Sequence, residues 1–287
     1  MTRKPLPYSC SITRSNPTAF VILLDQSGSM AERTIHDGVS QTKAEALASA
    51  TNALIDELID RCRRPSGVHD YYHLAVLGYS GMGVRNLLGD QGFFTPSELA
   101  VRTLPTQATT RERTLPNGSS VMTTTINNRW VEPLATGTTP MYEALCRALQ
   151  MTETLCSTEP FRESYPPTII NITDGEATDA SDDQLLGLAR RLRSVSTLYG
   201  EVLMVNINLA KSKDGKAIIF PSSVEELPDN RYSRLLYNMS SVMPERYTPL
   251  IMRNVEYRST GPFRALGYNA LIADAIAMMN IGTISSW

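Results

Sequence analysis

The chain predicts an α/β protein: a Rossmann-like, doubly wound, mostly parallel central sheet with helices on both faces and one inserted β-hairpin or long loop. Three observations lead there. Two short, largely apolar runs, residues 19–24 and 168–172, are followed by carboxylates, Asp25 and Asp174. Runs of this kind suit strands buried on both faces, as in parallel sheets. A third apolar run, residues 73–79, is separated from the first by a segment of helical period over residues 42–62. Two strands joined by a long helix imply a parallel crossover, and repetition of that unit makes a doubly wound sheet.

Taken in order, residues 1–16 read as a loose polar leader, and a single domain is expected from residue 17 to 287, with an insertion at about 90–133. In the segment 42–62, Ala44, Leu47, Thr51, Leu54, Leu58 and Cys62 recur at three- and four-residue spacing, the mark of an amphipathic helix. Arg61, Arg63 and Arg64 suit the negative end of its dipole, and Pro65-Ser66-Gly67 stops it. Gly81-Met82-Gly83 reads as a turn into a short edge strand over 84–88. Within the insertion, the Thr-, Arg- and Asn-rich stretch around Pro116-Asn117-Gly118-Ser119 carries the Asn-Gly signal of a hairpin. Helices are expected over 139–156, with Pro140 at the first position, and over 181–195, opened by Ser181-Asp182-Asp183. Another core strand is read over 201–209, a short last strand over 217–220, and closing helices over 231–240 and 266–279.

The chemistry concentrates in three loops. Asp25-Gln26-Ser27-Gly28-Ser29 follows the first strand, and Gly137-Thr138-Thr139-Pro140 precedes a helix. Thr173-Asp174-Gly175-Glu176 follows the second strand. In open α/β sheets ligands bind beyond the carboxyl ends of the strands. Carboxylate, hydroxyl and water oxygens are what a hard cation such as Mg²⁺ takes. Ser27 and Ser29 lie two apart on a tight loop, so both hydroxyls can face one point. A plain strand-to-helix turn with Thr139 as an N-cap is the alternative use of the same oxygens.

These motifs, in this order, resemble the von Willebrand factor A family and its metal-ion-dependent adhesion site (MIDAS). The resemblance runs from about Pro17 to the last helix. It implies direct metal ligation by Ser27 and Ser29, and ligation directly or through water by Asp25, Thr139 and Asp174, with Mg²⁺ or Mn²⁺ as the ion. It also implies a protein partner that supplies an Asp or Glu carboxylate to the metal. Among family members the chain looks most similar to stand-alone bacterial proteins such as the tellurium-resistance TerY-like group. That group is associated with kinase and phosphatase partners in stress or defence systems. Glu176, Tyr142 and Asp179 are candidates for the partner-binding rim.

Composition excludes several other classes. A formal net charge of −2 offers no global field for nucleic acid or an anionic membrane. No run of 18 or more apolar residues occurs, and the first 15 residues lack a signal-peptide core. The four cysteines are scattered, so reduced thiols and a cytoplasmic location are expected. His69 and His73 are four apart but fall in a loop entering a strand, so a zinc pair is not expected. An enzyme, a metal-assisted hydrolase or phosphoryl-transfer protein using Asp25 and Asp174, is the alternative to a binding module. It lacks a phosphate-cradling Gly-rich loop, and Glu176 is its one credible base. No catalytic residue is therefore assigned.

Overall fold

The computed structural model describes residues 6–36, 39–114, 120–210, 216–253 and 261–283. Its centre is a seven-stranded sheet. The strands are β1 (Thr18–Asp25), β2 (Tyr72–Ser80), β3 (Gly83–Asn86), β6 (Thr168–Thr173), β7 (Leu203–Leu209), β8 (Ile218–Ile219) and β9 (Leu266–Ala270). The insertion contributes β4 (Thr106–Thr114) and β5 (Ser120–Asn128), which pair only with each other. The sheet order is β8-β9-β7-β6-β1-β2-β3. The five inner strands run parallel, and the edge strands β8 and β3 are antiparallel to their neighbours.

Alternation along β1 explains the two-layered core. Phe20, Ile22 and Leu24 face one cluster, with α1 (Lys43–Arg61) and α6 (Ile272–Thr283) packed on them. Val21 and Leu23 face the other, covered by α3 (Met141–Cys156), α4 (Asp182–Ser194) and α5 (Arg231–Met239). Both faces of the strand are thus buried, which is why the run is apolar at every position. The helix starts are chemically specified. Thr42 with Glu45 and Ser181 with Gln184 form capping boxes at α1 and α4.

The expected hairpin is present as β4 and β5; its Asn117-Gly118 turn lies outside the described residues. A short helix, α2 (Pro96–Ala100), precedes it. The base of the hairpin is tied to α1. Asp56 accepts from the backbone N–H of Asn128, from Asn128 Nδ2 and from Trp130 Nε1, each at 2.8 Å.

Two expectations are corrected. Residues 266–279 are not one helix: Leu266–Ala270 is strand β9, and α6 begins only at Ile272. The stretch pairs with β7 (Asn206 with Leu266, Ile207 with Gly267), and pairing inside a sheet outweighs local helix preference. α6 packs closely on the strand at Gly267, where a Cβ would come within 2.5 Å of Met278 Sδ and the methionine would have to shift. The stretch before β1 is also less loose than expected. The Tyr8 hydroxyl donates to the Glu201 carbonyl at 3.0 Å, its ring meets Tyr165, and Ile12 is buried.

Candidate metal centre

Strand order places the site before any side chain is considered. The chain leaves β1 toward β2 on one side and later returns to β6 on the other, so the order reverses at β1. The crevice beyond the carboxyl ends of β1 and β6 is therefore the topological switch point, where ligands bind in such sheets. Asp25 ends β1 and Asp174 directly follows β6.

Asp25 is 1% exposed. Its Oδ1 accepts the Ser27 backbone N–H at 2.8 Å and its Oδ2 accepts the Thr173 hydroxyl at 2.7 Å. Burial raises the Asp25 pKa; the hydrogen bonds from Ser27 and Thr173 oppose the shift, and neighbouring Asp174 adds to it. The Ser27 and Ser29 hydroxyl oxygens are 3.1 Å apart, and the Ser29 hydroxyl donates to Asp174 Oδ1 at 2.5 Å. The Ser29 and Thr139 hydroxyls come within 3.9 and 4.0 Å of the point a Cβ on Gly175 would occupy. The structure thus brings Asp25, Ser27, Ser29, Thr139 and Asp174 to one end of the sheet, around the β6 loop.

Neither hydroxyl loop is consumed by helix capping. Ser27 precedes a single 3₁₀ turn, Gly28–Ala31, and makes no side-chain cap bond there. The N-cap of α3 is Pro140, not Thr139, and proline has no side-chain oxygen with which to cap. The orphan N–H groups of α3 are met from another loop: Asp179 Oδ1 accepts from Tyr142 N at 3.1 Å and Oδ2 from Glu143 N at 2.9 Å. A reciprocal pair of bonds couples the same two segments, Thr139 N donating to the Thr178 side-chain Oγ1 at 3.0 Å and Thr178 N to the Thr139 carbonyl at 3.0 Å.

Two glycines lock the threonine loop against the sheet. Gly137 has a left-handed φ of +69°, and a Cβ on it would lie 2.7 Å from Gly81 Cα. The converse Cβ on Gly81 would lie 2.9 Å from Gly137 Cα. The Gly137 carbonyl accepts from Gly28 N at 3.0 Å, joining the threonine loop to the serine loop.

Of the three rim candidates, Asp179 is engaged as the cap of α3. Glu176 forms an ion pair with Arg231 of α5, which also pairs with Asp182. Tyr142 is half-buried against the cluster beneath α3. His69 is bonded to Ser66 and Tyr71, while the His73 ring stands edge-on to Phe161, so the two do not form a metal pair. Among the described residues no group of three or more His, Cys, Asp or Glu is placed to hold a metal. A metal here would be held mainly by hydroxyls, with two carboxylates setting the charge. That donor set fits Mg²⁺ or Mn²⁺ and does not fit zinc.

Sequence reasoning missed three participants. Thr173 orients Asp25 by donating its one hydroxyl proton to it, and accepts the Gly175 backbone N–H at 3.1 Å. Tyr232 of α5 donates to the Gly175 carbonyl. Lys43 is 1% exposed, and its Nζ donates to Asp174 Oδ2 at 2.9 Å and to Glu32 Oε2 at 2.6 Å. Only the helical N1 position of Lys43, next to the Thr42 cap, hinted that it stands near the loop.

No family model and no curated protein matches the chain. Solved structures do. A von Willebrand factor type A structure from Catenulispora acidiphila has 16% identity and a TM-score of 0.42, covering 68% of this chain and 34% of its own. The chain therefore spans about a third of that protein's length. An aerotolerance-related membrane protein from Bacteroides fragilis has 14% identity and a TM-score of 0.36, covering 77% of this chain and 86% of its own. An uncharacterized membrane spanning protein from Vibrio fischeri shares 14% identity with a TM-score of 0.25, covering 67% and 71%. Among the described residues of this chain, no helix is long and apolar enough to cross a membrane.

Proposed function

We propose that this chain is a divalent-cation-dependent protein-binding module of the MIDAS type, loading Mg²⁺ or Mn²⁺ at Asp25, Ser27, Ser29, Thr139 and Asp174. The observation that carries the reading is the convergence of three hydroxyls, none of them used as a helix cap, with two buried carboxylates at the switch point of the sheet. Neutral hydroxyl ligands leave a hard cation electrophilic, so a carboxylate from a partner's Asp or Glu completes it. In this reading the protein residues at the metal are ligands and not nucleophiles, and the module turns nothing over. Glu176, the residue best placed to act as a base, is paired with Arg231.

A bacterial stress-response or defence setting, kinase or phosphatase partners, a TerY-like relationship and a cytoplasmic location rest on the motif resemblance and on the scattered thiols. The test is co-purification. Tagged chain should retain a protein partner in Mg²⁺ and release it in chelator, and Asp25→Asn should release it in both. Retention of the same partner by all three samples would refute the adhesion reading. Mg²⁺-dependent phosphoester hydrolysis lost in Glu176→Gln would replace it with the enzyme reading.

A further inference from the structure

We propose that Lys43 is a built-in competitor of the divalent cation. Its ammonium shares Asp174 with the metal and holds the intrinsic affinity down, then moves onto Glu32 when the cation loads. The proposal rests on the metal-site reading above and assigns the regulation of that site.

The placement of Lys43 runs against local preference. It is the first residue of α1, where the helix dipole disfavours a cation. Lysine also normally carries its head group out to water, yet this side chain is 1% exposed. A buried ammonium is tolerated only when it is paired and hydrogen-bonded. Its two partners differ: the Asp174 side chain is fully buried, whereas that of Glu32 is 52% exposed. The Lys43 backbone N–H donates to the Glu32 carbonyl at 2.9 Å, so the second acceptor is fixed beside the lysine by the chain itself.

The consequence follows from counting donors. Both Asp25 oxygens accept hydrogen bonds, and so do both Asp174 oxygens, one from Ser29 and one from Lys43. A metal that uses Asp174, directly or through water, meets an ammonium already bonded to it. A fixed positive charge beside an incoming dication is repulsive, most strongly where water is scarce. Removal to Glu32 relieves this without breaking both of the lysine's ion pairs. Lys43 thereby sets a threshold: the site loads when cation and partner carboxylate together outweigh the lysine.

The experiment titrates full-length chain with Mn²⁺, following the free-ion EPR signal, and with Mg²⁺ by calorimetry. Lys43→Met should bind both ions about tenfold more tightly or better, from removal of one repelling charge. In chelator it should melt below wild type, because Asp25 and Asp174 then repel without a counter-charge. Mg²⁺ should raise its melting temperature more than it raises that of wild type. Glu32→Gln, altering a half-exposed side chain, should weaken binding about threefold by leaving the ammonium wholly on Asp174. A Lys43→Met dissociation constant equal to or weaker than wild type would make Lys43 a mere strut and overturn the proposal alone. Should Lys43→Met fail to fold, an unchanged constant in Glu32→Gln overturns it. Absence of ion binding in wild type and Lys43→Met alike would overturn both this proposal and the metal-site reading.

Discussion

Replacing Gly137 by alanine tests whether the threonine loop is seated by a backbone-to-backbone contact. The φ of +69° costs an L-residue about 1–2 kcal/mol. The new Cβ would sit 2.7 Å from Gly81 Cα and 2.9 Å from Gly81 N, and neither is a flexible side-chain end that could turn aside. Overpacking of this kind typically costs ~1–3 kcal/mol. The loop can escape only by leaving, which breaks the Gly28 N–H bond to the Gly137 carbonyl, at ~1 kcal/mol. The expected loss is therefore roughly 2–4 kcal/mol, which at ~2–4 °C per kcal/mol lowers the melting temperature by about 5–15 °C. Thr139 lies two residues on, so under the proposed metal-site reading Mn²⁺ affinity should fall about tenfold or more with it, as when the contacts that orient a ligand are lost. Circular dichroism melts and a Mn²⁺ titration read the two effects. Gly187→Ala is the control: nothing lies within 4 Å of its Cβ on α4, and it should stabilise by up to ~1 kcal/mol. A Gly137→Ala protein that melts within ~2 °C of wild type and binds Mn²⁺ unchanged would refute the reasoning.

Three further outcomes are expected. Asp25→Asn should lose metal binding yet keep its stability in chelator within ~1 kcal/mol of wild type, because burial disfavours the charged form it removes; a large drop would show that the carboxylate holds the two loops together. Asp56→Ala should cost ~2–3 kcal/mol by stranding three donors at the hairpin base, and an unchanged melt would mean the hairpin is seated by packing alone. Cys62 and Cys156 have pKa values pushed up to about 12 by burial, so both should resist thiol reagents at pH 8 until denaturant is added. Because their folded pKa values lie above the unfolded value of 9.0, this stability is present below pH 9 and drains away as pH climbs toward 12; chemical denaturation midpoints that do not fall over that window would contradict it.

The parts legible in the sequence are those whose physics is local. Burial on both faces makes β1 apolar at every step, while the three- and four-residue spacing from Ala44 to Cys62 and the Ser181-Asp182-Asp183 start announce α1 and α4. The Asn-Gly signal called for the β4–β5 hairpin. The residues of the candidate site could be named because each sits at the end of such an element. Tertiary structure alone decided what each of them touches. Lys43 looks like a solvated helix residue until its ammonium meets a carboxylate 131 residues away. Asp179 looks like a loop acid until it caps a helix that precedes it by 37 residues. Leu266–Ala270 carries enough apolar character for a helix, and becomes a strand because β7 offers it an open edge. Periodicity and caps report on neighbours within a turn or two; which strand lies beside which, and so which charges are buried together, is set by the order in which the chain crosses the sheet.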